Sequence, residues 1–176
     1  LEGVVVLSPV VLTDHGQMVM ATFEPLDDPA VRCENPGLVR QIFNPYPLKV
    51  EQREGVVVIL YEEWNAQRTI HLDSETPENL EASALGYSVG HFEGEKLIVT
   101  TTGLTRGLGR IPEFVWNSEE TSIVEQYYLT ERHQLVMDVV VTDPVMLRQP
   151  WRVVKTWNPH DQGLLGFECV LRDRQP

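Results

Sequence analysis

The sequence is short of cysteine, of basic residues and of long apolar runs, and each shortage closes off a class of protein. Cys33 and Cys169 lie far apart and make no Cys-x-x-Cys redox or zinc pair. On the residues alone, a long-range disulfide and two separate buried thiols stay equally open. The five histidines, His15, His71, His91, His133 and His160, show no His-x-His or His-Glu-x-x-His spacing, and no twelve-residue calcium loop is present, so neither metal nor cofactor is expected. Lys and Arg number 14 against 26 Asp and Glu, a formal charge of −12, which argues against nucleic acid or an anionic membrane as partner. No stretch approaches the roughly 18 apolar residues of a membrane span. Leu1 opens no basic-then-apolar leader, which leaves a cytosolic chain or one whose targeting segment has been removed.

What is present is a chain of 176 residues, enough for one domain with a core that needs no metal or disulfide to fold. It is organised around residues 86–103, GYSVGHFEGEKLIVTTTG, which read as two strands folded on Gly94. A two-residue turn there puts Ser88, Gly90, Phe92, Leu97, Val99 and Thr101 on one small and apolar face. Val89, His91, Lys96, Ile98, Thr100 and Thr102 fall on the other, mostly polar face, the pattern of a half-buried antiparallel hairpin.

In chain order, residues 3–11 form a β-branched run broken by Pro9, an edge strand or extended arm, and 13–23 a short helix capped by Thr13. Residues 24–47 carry five prolines with interspersed large apolar residues. They read as an irregular cover packed over one end of the body. Strands are expected at 48–53, 56–64 and 67–73, a short helix at 76–83, then the central hairpin. A long connection at 103–117, with three glycines, Phe114 and Trp116, reads as a lid or binding loop. Further hairpins are expected over 122–142 and over 149–172, the last turning at Asn158-Pro159. With an arm and cover over 1–47 and strands over 48–172, the whole chain 1–176 reads as a single all-β domain of eight to ten strands. Sequential hairpins favour an antiparallel up-and-down barrel of the lipocalin or fatty-acid-binding type, with room for one small ligand.

The segments RTIHLD (68–73), GYSVGHFEGEKLIVTTTG (86–103), SEETSIVEQ (118–126) and DPVMLRQPW (143–151), preceded by PLDDPAVRCENPG (25–37), resemble a large family of uncharacterised bacterial proteins. That family carries Arg-x-Ile with a nearby Asp, Gly-x-Ser-x-Gly, an aromatic-Glu-Gly-Asp turn, Thr-Thr-Gly, Ser-Glu, and Asp-Pro before Pro-Trp. The resemblance implies export, and with it a disulfide between Cys33 and Cys169, but no agreed activity. The chain departs from the pattern at Phe92 (usually Trp), Glu95 (Asp), Thr100 (often an acid) and Gln126 (often Arg).

Candidate site residues follow from polar groups on apolar faces. Arg68 alternates with Ile70 and Leu72, and Glu62 with Val56, Val58 and Leu60; both are strand-end charges reaching water, or else an internal ion pair or ligand anchor. Glu125 and Tyr127 alternate with Ile123, with the inward face left open. Ser88 lies within a strand and so does not fit the strand-to-helix serine elbow that its Gly-x-Ser-x-Gly letters imitate. Phe92, Phe114, Trp116, Trp151 and Glu119 complete the set of possible cavity or mouth residues. The leading function is binding of a small, largely apolar molecule in the barrel. The alternative is an enzyme, an isomerase, cyclase or hydrolase, using Glu62 or Glu125 as general acid or base in the same cavity.

Overall fold

The computed structural model describes residues 4–7, 12–13, 28–109 and 115–171. Ten strands form one strongly curled sheet: β1 (Val4–Leu7), β2 (Leu12–Thr13), β3 (Leu48–Arg53), β4 (Val56–Tyr61), β5 (Gln67–Leu72), β6 (Tyr87–Glu93), β7 (Lys96–Thr102), β10 (Ser122–Leu129), β11 (Leu135–Thr142) and β12 (Trp151–His160). The spatial order is β1-β3-β4-β5-β6-β7-β10-β11-β12-β2, and β1 also bonds to β12, so the flanks of the curl meet across β1. The all-β barrel-like fold expected from the sequence is therefore present. Period-two burial explains the strands. Val57, Ile59, Tyr61 and Ile70 from one side, with Leu97, Val99, Ile123, Met137, Val139 and Val153 from the other, fill the interior at no more than 4% exposure.

The central hairpin folds as read, with Glu93 opposite Lys96 and Ser88, Gly90, Leu97, Val99 and Thr101 facing inward. Its glycines serve packing. Gly86 has φ +65°, and a β-carbon there would lie 2.6 Å from the Thr102 carbonyl oxygen and 2.9 Å from Leu104 Cδ2. Gly55 has a similar φ of +71° but open space around it. Gly86→Ala is accordingly expected to cost roughly 2–3 kcal/mol, from left-handed strain plus overpacking, and Gly55→Ala only about 1 kcal/mol. Urea unfolding of the two variants checks this, and equal losses would remove the packing argument.

Four expectations are corrected. First, β5 and β6 run parallel, pairing Ile70, His71 and Leu72 with Ser88, Val89 and Gly90, so the barrel is not purely up-and-down. Parallel neighbours need a crossover. Residues 73–86 provide it, and they hold turns and an isolated bridge from Ser83 to Leu104 in place of the expected helix, because the chain must travel back the length of a strand. Second, the Pro-rich cover contains a 3-10 turn (Pro29–Arg32) and a helix, α1 (Leu38–Phe43), in which all six residues are buried. Leu38, Val39, Ile42 and Phe43 join the core as a plug, and Phe43 packs on Trp151 with ring centroids 4.4 Å apart.

Third, no hairpin forms at Asn158-Pro159. β12 runs straight through, and Asn158, Pro159 and His160 pair with β1. Residues 161–171 instead form an irregular strap, tied to the cover by a Cys33–Cys169 disulfide. Fourth, the connection 103–117 is not an open loop at its ends, since β8 (Gly107–Gly109) and β9 (Val115–Asn117) pair, and Leu108 N donates to Pro36 O at 3.2 Å. The helix expected over 13–23 lies outside the described residues except for Thr13, which is in β2.

Candidate functional site

Strand alternation turns Arg68 inward from β5, Ser88 from β6, Thr101 from β7, and Glu125 and Tyr127 from β10. Ser88 and Thr101 are direct cross-strand partners, which places their hydroxyls side by side at 2.9 Å. The Arg68 guanidinium uses this surface fully. Nε donates to Ser88 Oγ at 2.8 Å, one terminal nitrogen to Glu125 Oε1 at 2.9 Å, and the other to Thr101 Oγ1 at 2.6 Å and to Glu125 Oε2. Tyr127 Oη donates to Glu125 Oε1 at 2.7 Å. All five residues are at most 2% exposed.

A fork-to-fork pair of this kind satisfies both charges in a medium that screens them little. Burial opposes the charge on Arg68, but the Glu125 carboxylate, together with Tyr61 and Tyr127, outweighs it and holds the pKa well above its ordinary value. Burial first, then the charge of Glu125, lifts the Tyr127 phenol well above its ordinary pKa, so it stays a donor. Tyr61 is also lifted by burial, with Arg68 opposing and Glu125 adding. Its buried hydroxyl has no hydrogen-bond partner among the described residues.

The same arginine borders a groove on the outer side. β5 and β6 pair only from Ile70 onward, and before that point the strand and residues 83–87 diverge around a space of about 440 Å³. Gln67, Arg68, Thr69, His71, Leu85 and Tyr87 line it with Asn35 and Ser83. His71 and Tyr87 stack at 4.7 Å with planes 9° apart, giving one wall a flat aromatic character.

The other expected site residues are placed separately. Glu62 follows β4 and accepts a hydrogen bond from Leu165 N at 2.9 Å; it does not meet Arg68. Val57, Ile59 and Tyr61 are the residues β4 turns to the core, so alternation sets Glu62 with Val56, Val58 and Leu60 on the opposite face, and the chain then turns into a 3-10 segment (Glu63–Asn65). Phe92 is 41% exposed next to the turn of its hairpin, and Glu119 is exposed in a loop. Trp116 is buried beneath the Arg106 guanidinium, 4.5 Å from its ring, and Trp151 is buried against α1. Phe114 lies outside the described residues.

Two further clusters escaped the sequence reading. Lys155, fully buried, sends Nζ to the carbonyls of Ile42 and of Asn44 (3.0 Å) at the end of α1, 4.6 Å from the Trp157 ring centroid. Burial lowers its pKa to about 7. The alternation Trp151, Val153, Lys155, Trp157 carried the signal, a lysine on a wholly apolar face. Asp143 gathers Ser118 N and Oγ, Thr121 Oγ1, Val145 N and Met146 N, joining the Ser-Glu and Asp-Pro segments. Burial would raise its pKa, but these donors together hold it below its ordinary value.

Among the described residues no cluster of three or more His, Cys, Asp or Glu is arranged to hold a metal ion, and no helix is long and apolar enough to cross a membrane. Comparison with protein-family models, with curated proteins and with solved structures returned no match. The fold and the geometry of the Arg68 cluster therefore carry the functional reading.

Proposed function

We propose that this protein binds a small molecule, with the groove between β5 and residues 83–87 as its site, bordered by Arg68, which the buried cluster with Glu125 holds rigid. The observation that supports it most is the double position of Arg68, which organises the interior and borders the groove. A flat His71–Tyr87 wall and Leu85 suit the apolar or ring-bearing body of a ligand. Gln67, Thr69, Asn35 and Ser83 offer hydrogen bonds to one polar end. The largely apolar ligand expected from the sequence is thereby refined to an amphipathic one. We assign Glu125 a structural role in place of acid–base chemistry, because both its oxygens are engaged and it has no exposed surface. The disulfide supports an exported protein living in an oxidising compartment.

Native mass spectrometry of the full chain against a metabolite extract tests the reading, followed by amide chemical-shift mapping with each retained compound. The expected result is a retained small molecule whose shifts centre on residues 67–71 and 83–88, with retention lost in Tyr87→Ala. Retention of nothing, or shifts centred elsewhere, would overturn it.

A further inference from the structure

We propose that the Cys33–Cys169 bond is a redox-operated catch, which on reduction by a dithiol releases the strap 161–171 from the barrel wall while the strands stay paired. The bond joins two covering segments to each other. Cys33 closes the 3-10 turn at Pro29–Arg32, Cys169 sits in the strap, and neither cysteine belongs to a strand.

Little else holds the strap. It has no regular secondary structure, and Leu165, Val170 and Leu171 are 73%, 76% and 64% exposed, so they contribute little burial. Apart from a bond at its start, from Gln162 N to His160 Nδ1 at 2.9 Å, its remaining described ties go to one short stretch. Glu62 accepts from Leu165 N, Asn65 exchanges two hydrogen bonds with the Phe167 backbone at 2.7 and 3.0 Å, and Trp64 meets the Phe167 ring at 4.7 Å. These hydrogen bonds lie at the surface, where water competes for every donor and acceptor. Trp64 and Asn65 both sit at positive φ, 64° and 47°, so their presentation to the strap depends on a conformation that non-glycine residues adopt rarely. The strap also forms one wall of a cavity of about 210 Å³, with Leu164, Leu165 and Gly166 facing Leu60, Tyr61 and Ala66. Its release uncovers that flank of β4.

Cys169 is exposed and Cys33 half-buried, so attack falls on Cys169. A thiolate of the dithiol bonds to Cys169 Sγ, the Cys33–Cys169 bond breaks, and Cys33 leaves as thiolate and takes up a proton. The second thiol of the reductant then displaces Cys169, which is released as a thiol. Two electrons pass to the cysteine pair and the reductant closes its own disulfide.

The test is hydrogen exchange of the full chain, read by mass spectrometry with and without dithiothreitol, with a Cys33→Ser/Cys169→Ser variant in parallel without reductant. Exchange across 161–171 should rise about tenfold or more, while peptides covering 56–72 and 122–142 keep their protection. The double variant should behave as the reduced protein does. Unchanged exchange in the strap would overturn the proposal by showing that its other contacts suffice. Equal loss of protection in the strands would overturn it by making the bond a staple of the whole fold. No ligand enters the measurement, so failure of the small-molecule reading leaves its outcome untouched.

Discussion

Arg68→Met destabilises the protein by about 3–5 kcal/mol, because it strands the Glu125 carboxylate in the interior with a single remaining donor from Tyr127. For a chain of this length that corresponds to a fall of roughly 6–20 °C in Tm. The loss is carried mostly by desolvation of the carboxylate, so a second change that removes it, Arg68→Met/Glu125→Leu, should recover most of the deficit. Arg68→Lys should not rescue, since an ammonium cannot reach Ser88, Thr101 and both carboxylate oxygens together. Thermal and urea unfolding of the four proteins provide the measurement. A loss below about 1 kcal/mol for Arg68→Met is the result of a solvated guanidinium and would refute the buried pair.

Raising the pH from 7 to 9 stabilises the wild-type protein by roughly 2 kcal/mol relative to Lys155→Met. Burial holds the Lys155 ammonium at about 7 against an ordinary value of 10.5. Between those values the unfolded chain binds the proton and the native state does not, so stability rises with pH across that window. Below about 7 both states are protonated, the penalty is constant, and the wild-type and variant curves run parallel. Taking the difference between the two proteins cancels the titration of every other group that the substitution leaves undisturbed. Urea unfolding at several pH values from 6 to 9 measures it, and a difference independent of pH would mean that the amine reaches water.

The parts of this fold that could be read in advance are those set by neighbours in the chain. Period-two alternation located β3, β4, β5, the central hairpin and the hairpin β10-β11, and it turned Arg68, Ser88 and Thr101 to the same side. It also left Glu125 open as a partner for Arg68, and the register of β10 on β7 decides in its favour by setting Glu125 opposite Val99. Helix α1 was hidden by the prolines around it, although Leu38, Val39, Ile42 and Phe43 already repeat with helical spacing. What no local pattern carries is the direction in which β6 returns to β5, or the choice of Asn158-Pro159 to continue as strand. Both depend on partners far away in sequence, Ile70 to Leu72 in one case and β1 in the other.

The parallel junction of β5 and β6 has a consequence for how the protein assembles. The hairpins β3-β4-β5 and β6-β7, like β10-β11, each close within a short span of chain, and eight residue pairs zip the last of them. The junction offers only three residue pairs, across a crossover that must first be laid down. Backbone bonds are thus few where the loop-closure entropy is greater than at a hairpin turn. Arg68 bridges that joint with its side chain, reaching β6, β7 and β10 from β5. The guanidinium thus acts as a rivet that fixes the alignment of the two panels on either side of this line.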